Sequence, residues 1–188
     1  VYDLPTLPSK DCFTHSVAFG CITAETLVGE MKELGEDEFH RKYVLIDCRY
    51  PYEYEGGHIK NSINLHDNTD LPSLFFPSQS ILEEADRDAS SSIDEHATLS
   101  NEVIVPPHRR ISVFYCEYSQ KRGPAMASSL RNIDRMINQY PALTYDVIYV
   151  LESGYRNFFH NFSNSNSALF SSHCGYAEMH QDVKQLSE

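Results

Sequence analysis

The chain has 188 residues, enough for one domain with a sizeable core. Its 15 basic and 27 acidic residues give a net charge of −12, which argues against non-specific nucleic-acid binding, where clustered cations must neutralise phosphates. No apolar run approaches the ~20 residues that span a bilayer, and the opening VYDLPTLPSKDC is too polar for a signal peptide. Five scattered cysteines without a CxxC pair point away from a disulfide framework or a zinc cage, and toward a reducing compartment.

Residues 1–21 read as an irregular lead-in. ITAETLVGEMKELGEDEF then reads as a helix, with Thr23 as N-cap, Leu27, Val28, Met31 and Leu34 on one face, and Gly35 as its stop. KYVLIDC (42–48) is a short β-branched run of the kind that forms a buried strand. RYPYEYEGGH follows as a turn and short helix, and SINL (62–65) as a second short strand. Residues 66–102 carry the weakest structural signal. LPSLFFPSQSIL supplies apolar residues that can dock on the core, whereas the Ser-, Asp- and Glu-rich stretch 83–102 reads as a flexible surface insertion. RISVFYC (110–116) is another buried strand. Pro124 stands where a helix-opening proline belongs, and the period carried by Met126, Ala127, Leu130, Ile133 and Ile137 runs until Pro141. DVIYVLESGY adds a further strand and YRNFFHNF a last helix. Strands alternating with helices predict an α/β domain with a mainly parallel sheet.

ISVFYCEYSQKRGPAM concentrates the chemistry. In a parallel α/β sheet ligands bind at the carboxyl ends of strands. Cys116 ends a strand and a helix opens near Pro124, so the loop between them can turn its N–H groups toward an anion. The helix N-terminus adds positive field. Arg122 supplies a planar fork for two phosphate oxygens. A thiol above such a cradle ionises more readily and faces the phosphorus of a bound monoester. Cys-x5-Arg alone is a weak signal; the strand before it and the Gly-Pro helix start after it sharpen the reading.

YVLIDCRYPYEYEGGHIKNSINL (43–65), YCEYSQKRGPAM and RNIDRMINQYPALTYDVIYVLESGYRNFF (131–159) resemble the M-phase inducer phosphatases. These are dual-specificity protein phosphatases of the cell-division cycle with a rhodanese-like catalytic domain. The resemblance covers most of residues 22–160, breaks in the insertion and fades in the tail 161–188, where Tyr176 and Met179 are the anchor positions. It implies one rhodanese-like α/β domain across 1–188, a mainly parallel sheet flanked by helices, and no metal or cofactor. It implies Cys116 as nucleophile and a phosphate-binding loop of Cys116, Glu117, Tyr118, Ser119, Gln120, Lys121 and Arg122, with Glu117 as the matching proton-donor candidate. Cys48 matches a cysteine that forms a reversible, protective disulfide with the nucleophile. Arg131, Arg135 and Tyr140 match positions that dock the substrate, a phosphorylated cyclin-dependent kinase with its cyclin. A monomer of nucleus and cytoplasm, free of nucleic acid and membrane, is expected. Asp47, Arg49, Glu53, Glu55 and His58 take structural roles, with Gly56 and Gly57 permitting a turn.

Three departures bear on activity. Tyr115 stands where histidine usually precedes the nucleophile, Lys121 where an acid is common, and Ala125 where arginine is frequent. Lys121 adds positive charge to the cradle, whereas Tyr115 and Ala125 motivate one alternative, a catalytically weak module that binds a phosphorylated kinase. Another is a sulfurtransferase or arsenate reductase on the same fold. Sulfurtransferase loops are typically one residue shorter between Cys and Arg, which counts against sulfur transfer.

Overall fold

The computed structural model describes residues 7–8, 18–77, 110–171 and 175–179. The expected insertion 83–102 lies outside them. Five strands form one wholly parallel sheet: β1 (Gly20–Ile22), β2 (Tyr43–Asp47), β3 (Ile63–Asn64), β4 (Ile111–Tyr115) and β5 (Ile148–Leu151), in the order β1-β5-β4-β2-β3. Tyr43 pairs with Ile111 and Asp47 with Tyr115, so β2 and β4 end level with each other. Ser112 pairs with Ile148, and Gly20 with Tyr149.

Every residue of β2, β4 and β5 is buried, as continuous apolar runs require when helices cover both faces. The strand period of two sorts their side chains between two cores. Tyr43, Leu45, Ile111, Val113, Tyr115, Tyr149 and Leu151 face one. Val44, Ile46, Phe114, Ile148 and Val150 face the other, which also holds Cys48 and Cys116. The first core is covered by α1 (Ala24–Lys42) and α5 (Gly154–Phe162) through Leu27, Val28, Tyr155 and Phe158. The second is covered by α3 (Leu71–Phe75) and α4 (Arg122–Ile137) through Leu71, Phe75, Met126, Ala127 and Leu130. The Tyr145 hydroxyl donates to Phe75 O at 2.6 Å, so the LPSLFF segment docks on the core as its apolar content foretold.

Thr23 caps α1, its Oγ1 accepting from Thr26 N at 3.2 Å. Gly35 breaks the helix with φ +72, but helical backbone resumes and runs to Lys42. The expected stop is therefore a kink. No described helix is long and apolar enough to cross a membrane. β1 was expected to be irregular; three residues show no period of their own, and pairing with β5 makes them a strand.

The topology fixes where a site can form. From β2 the chain moves outward to β3, then returns to β4 and proceeds away through β5. The switch point lies between β2 and β4, and the crevice beyond their carboxyl ends is where open α/β sheets bind ligands. Cys48 and Cys116 are the residues immediately beyond those two ends.

Candidate active site

Cys116 leaves β4 with 4% of its surface exposed and carries a free thiol. Its N–H donates to Ser119 Oγ at 3.3 Å, and Ser119 holds φ +53, a left-handed turn that bends the loop back on itself. The N–H groups of Glu117, Tyr118, Ser119 and Gln120 make no hydrogen bond to any described residue. Tyr118 and Gln120 are exposed. Arg122 then begins α4, which points its N-terminus at the loop.

Arg122 is held from the other motif. Its Nη1 donates to Glu53 Oε2 at 2.5 Å and its Nη2 to Glu53 Oε1 at 3.1 Å, a two-point fork. Its guanidinium carbon lies 5.2 Å from the centre of the Tyr50 ring. Burial works to lower the Arg122 pKa, but the Glu53 carboxylate outweighs it, with Cys116 and Glu117 adding, and the net direction is upward. Glu53 sits on α2 (Pro51–Glu55), is wholly buried and also accepts from Tyr50 N at 2.9 Å. Sequence reading gave Glu53 a structural role. Its direct grip on Arg122 was missed, because nothing in the sequence pairs residues 69 positions apart.

The hallmark turn is built by a buried ion pair. Arg49 Nη2 meets Asp47 Oδ2 at 2.7 Å, and Arg49 Nε contacts both carboxylate oxygens. Nη2 also donates to Gly57 O, and the guanidinium lies 4.0 Å from the Tyr155 ring centre. His58 Nδ1 is 2.8 Å from Tyr54 O, and its ring stacks on that of Tyr54. These roles are structural, as expected. No cluster of potential metal ligands occurs among the described residues.

Tyr115, which stands in place of histidine, turns away from the loop. Its hydroxyl donates to Ser62 Oγ at 2.8 Å and accepts from Ile59 N at 3.3 Å, tying β4 to the hallmark segment. Cys48 N donates to Tyr115 O at 2.7 Å, extending the ladder and bringing Cys48 beside Cys116. Parallel neighbours lie about 4.8 Å apart, within the roughly 4.4–6.8 Å that a disulfide spans between Cα atoms. Cys48 is a free thiol, and its pKa is pushed well up by burial first and then by the charge of Cys116 and Asp47. Cys21 is disulfide-bonded, which the scattered cysteine spacing gave no sign of.

Two expected roles fall on buried side chains. Glu117 is fully buried; Oε1 accepts from the Tyr176 hydroxyl at 2.5 Å, while Oε2 is buried without a partner. A carboxylate enclosed beneath the tail is poorly placed to protonate a leaving group that enters from solvent. Arg131 is 4% exposed, and its donors go to the carbonyls of Ala18, Tyr145 and Asp146. It anchors α4 and offers a partner little surface. Arg135 and Tyr140 are exposed, Tyr140 at 94%, with Met136 at 84% beside them.

The tail reaches the site by backbone packing. A Cβ on Gly57 would run into Gly175 O, and one on Gly56 into the Ala177 side chain. The Tyr155 hydroxyl donates to Gly175 O at 2.7 Å. Gly154, at φ +61, lies so close to the carbonyls of Cys116 and Glu117 that a Cβ would overlap both. That approach lets Tyr155 N and Arg156 N donate to the same carbonyls at 2.9 and 3.0 Å.

A thiol and a forked arginine thus meet at the switch point of a parallel sheet with rhodanese-like architecture. The rhodanese-like domain model matches residues 28–161, and the chain belongs to that family. Its sequence is similar to M-phase inducer phosphatases. It is 43% identical over 146 residues to M-phase inducer phosphatase cdc-25.3 of Caenorhabditis elegans, covering 77% of this chain and 39% of that protein. It is 41% identical over 181 residues to cdc-25.2 of the same organism, covering 95% and 32%. M-phase inducer phosphatase 3 of Bos taurus is 41% identical over 139 residues, covering 72% and 23%. The chain thus spans less than half the length of these relatives. The fold resembles the yeast protein Ygr203w at TM-score 0.53 and 19% identity, covering 89% of this chain and 94% of that one. It also resembles the As-Sb reductase of Leishmania major at TM-score 0.52 and 21% identity, covering 88% and 94%.

Proposed function

We propose that the chain is a cysteine-based dual-specificity protein phosphatase that dephosphorylates a cyclin-dependent kinase and promotes cell-cycle progression. The observation that carries this reading is the Cys116 thiol at the mouth of a loop whose closing residue, Arg122, is aimed by Glu53. The phosphate dianion binds the loop N–H groups and the Arg122 donors that Glu53 leaves unused. The Cys116 thiolate attacks phosphorus, a P–S bond forms, and the P–O bond to the substrate breaks. The departing oxygen takes its proton from solvent water. Water then attacks the thiophosphate, releasing inorganic phosphate and the thiolate. The loop N–H groups and Arg122 stabilise the charge on the equatorial oxygens in both steps. Arg135, Met136 and Tyr140 form the exposed face of α4 and the loop after it on which the kinase docks.

The test is turnover of p-nitrophenyl phosphate. Cys116→Ser is expected to abolish it while phosphopeptide binding survives; wild-type rates in that variant would refute the mechanism. Tight retention of a phosphorylated kinase by a wild-type protein without turnover would favour the binding-module alternative. We also propose that Cys48 protects the nucleophile. Peroxide converts the Cys116 thiolate to a sulfenic acid, and the Cys48 sulfur displaces water from it to form a disulfide. Dithiothreitol should then restore activity to peroxide-treated wild type but not to Cys48→Ser.

A further inference from the structure

Beside the loop lies a pocket of about 570 Å³ that the mechanism does not use. It is lined by Tyr118, Ser119 and Gln120 of the loop and by Arg156, Asn157 and His160 of α5. Its base is apolar, from Phe19 and Val150. Arg156 and His160 are four residues apart, so both side chains emerge on the same side of α5.

The pairing of Arg156 sets the pocket apart. Arg49 and Arg122 are each forked onto a carboxylate, and Arg131 is spent on the Asp134 carboxylate and on backbone carbonyls. Arg156 is exposed and makes no ion pair with any described residue. Its guanidinium lies 5.6 Å from the Tyr118 ring centre, a contact that steers the fork through the ring face and leaves its N–H donors available. Its position is fixed from below as well, because Arg156 N donates to Glu117 O. A cation is thus carried on the backbone of the catalytic loop, over a ring of that loop, and facing a cavity. One carboxylate, Glu152, also lines the pocket, but it does not pair with Arg156.

We propose that this pocket is a specificity subsite that receives an acidic side chain next to the phosphorylated residue of the substrate protein, with Arg156 as its recognition group. The inference rests on the phosphatase reading. A residue whose phosphate fills the loop carries its main chain across Tyr118 to Gln120, so the neighbouring side chain drops between the loop and α5. There it meets the Arg156 fork, with Ser119, Gln120 and Asn157 as neutral donors. The apolar base keeps the aliphatic part of a Glu or Asp out of water. Glu152 repels a carboxylate at its own end of the pocket and so restricts the productive position to the Arg156 end.

The experiment compares phosphotyrosine peptides carrying Glu or Gln at each of the two flanking positions. Wild type should favour Glu at one flank by about fivefold in kcat/KM, the size of a partly exposed ion pair. That preference should shrink as salt rises. Arg156→Gln should erase it while leaving p-nitrophenyl phosphate turnover unchanged. The same peptides titrated into Cys116→Ser by calorimetry read the subsite without turnover and should show the same Glu preference, lost in Cys116→Ser/Arg156→Gln. An equal response to Glu and Gln in wild type, or a preference that survives Arg156→Gln, overturns the proposal. Absence of aryl phosphate turnover in wild type would refute the phosphatase reading instead, and calorimetry would still decide the subsite.

Discussion

The two strand ends at the switch point are neighbours in the sheet and opposites in construction. Beyond β2, the chain closes on itself: Asp47 takes three donors of Arg49, Arg49 reaches Gly57 O, and Glu53 accepts from Tyr50 N. Beyond β4, four successive N–H groups bond to no described residue, and the loop is held from outside by Glu53 on Arg122 and by Tyr155 N and Arg156 N on its carbonyls. One end is a frame whose polar groups bond one another, save Arg49 Nη1, which is buried without a partner; the other is a loop whose N–H donors are left unused by the described residues. A phosphate-binding loop needs that division, because donors used internally must be released before an anion binds, whereas a loop without a frame loses its shape.

The largest effect should come from the frame. Asp47→Asn leaves the Arg49 guanidinium buried with no charge to match it. The loss should be about 3–5 kcal/mol in urea unfolding. A loss under about 1 kcal/mol would mean that the Tyr155 ring and Gly57 carbonyl suffice for Arg49, and that the two ends are less different than their bonding implies. Next comes the link between them. Glu53→Gln keeps the shape and removes the charge that aims Arg122. A hydrogen bond to a charged group contributes about 1.5–3 kcal/mol, so kcat on an aryl phosphate should fall at least about tenfold. Two effects compete here, since Glu53 also neutralises Arg122 and thereby weakens phosphate binding. If neutralisation dominates, KM falls and kcat holds, and Glu53 is then a competitor of the substrate more than a guide for Arg122.

The same contrast explains what was legible in the sequence. The frame's strand, β4 and the Cys116–Arg122 loop were read nearly to the residue, because buried strands are continuous apolar runs and the loop sits between two strong signals. Glu117 and Arg131 were misread for a shared reason. Both are charged residues in locally polar surroundings, which reads as surface. Glu117 is covered by Tyr176, 59 residues on, and Arg131 is enclosed by carbonyls from residues 18, 145 and 146. Local pattern reports which face of a helix is apolar, but not that a distant turn will cover a charge. The Glu53–Arg122 fork is the same kind of fact. β1 escaped notice because its identity as a strand comes wholly from β5.

Tyr176→Phe probes how far the loop depends on support from outside. It strips the hydrogen bond from a buried carboxylate whose second oxygen already has no partner. Burial and then Glu117 push the Tyr176 pKa upward, so the hydroxyl stays a donor throughout the neutral range. The expected cost is about 1–3 kcal/mol of stability. Glu117 follows Cys116 directly, so kcat on p-nitrophenyl phosphate should fall as well. Lost stability with unchanged kcat would show that the Glu117 carboxylate can lose its partner without moving Cys116.

The smallest effect lies at alkaline pH and belongs to Cys48, at the end of the frame's strand. Burial, then the charges of Cys116 and Asp47, raise the Cys48 pKa well above the ordinary thiol value of 9.0. The folded state keeps the Cys48 proton that the unfolded chain gives up near that value. Stability from this group is therefore complete below pH about 9 and declines above it, approaching about 1.4 kcal/mol per pH unit. Tyr115, its pKa also raised well above 10.0 by burial and then by Asp47, adds a second decline above about pH 10. Cys48→Ala should leave the Tyr115 limb and remove the one that starts near pH 9, as read from urea midpoints between pH 8 and 10 under reducing conditions. Equal slopes in wild type and variant would mean that water reaches Cys48 in the folded state. Burial would then not be what holds the proton on Cys48.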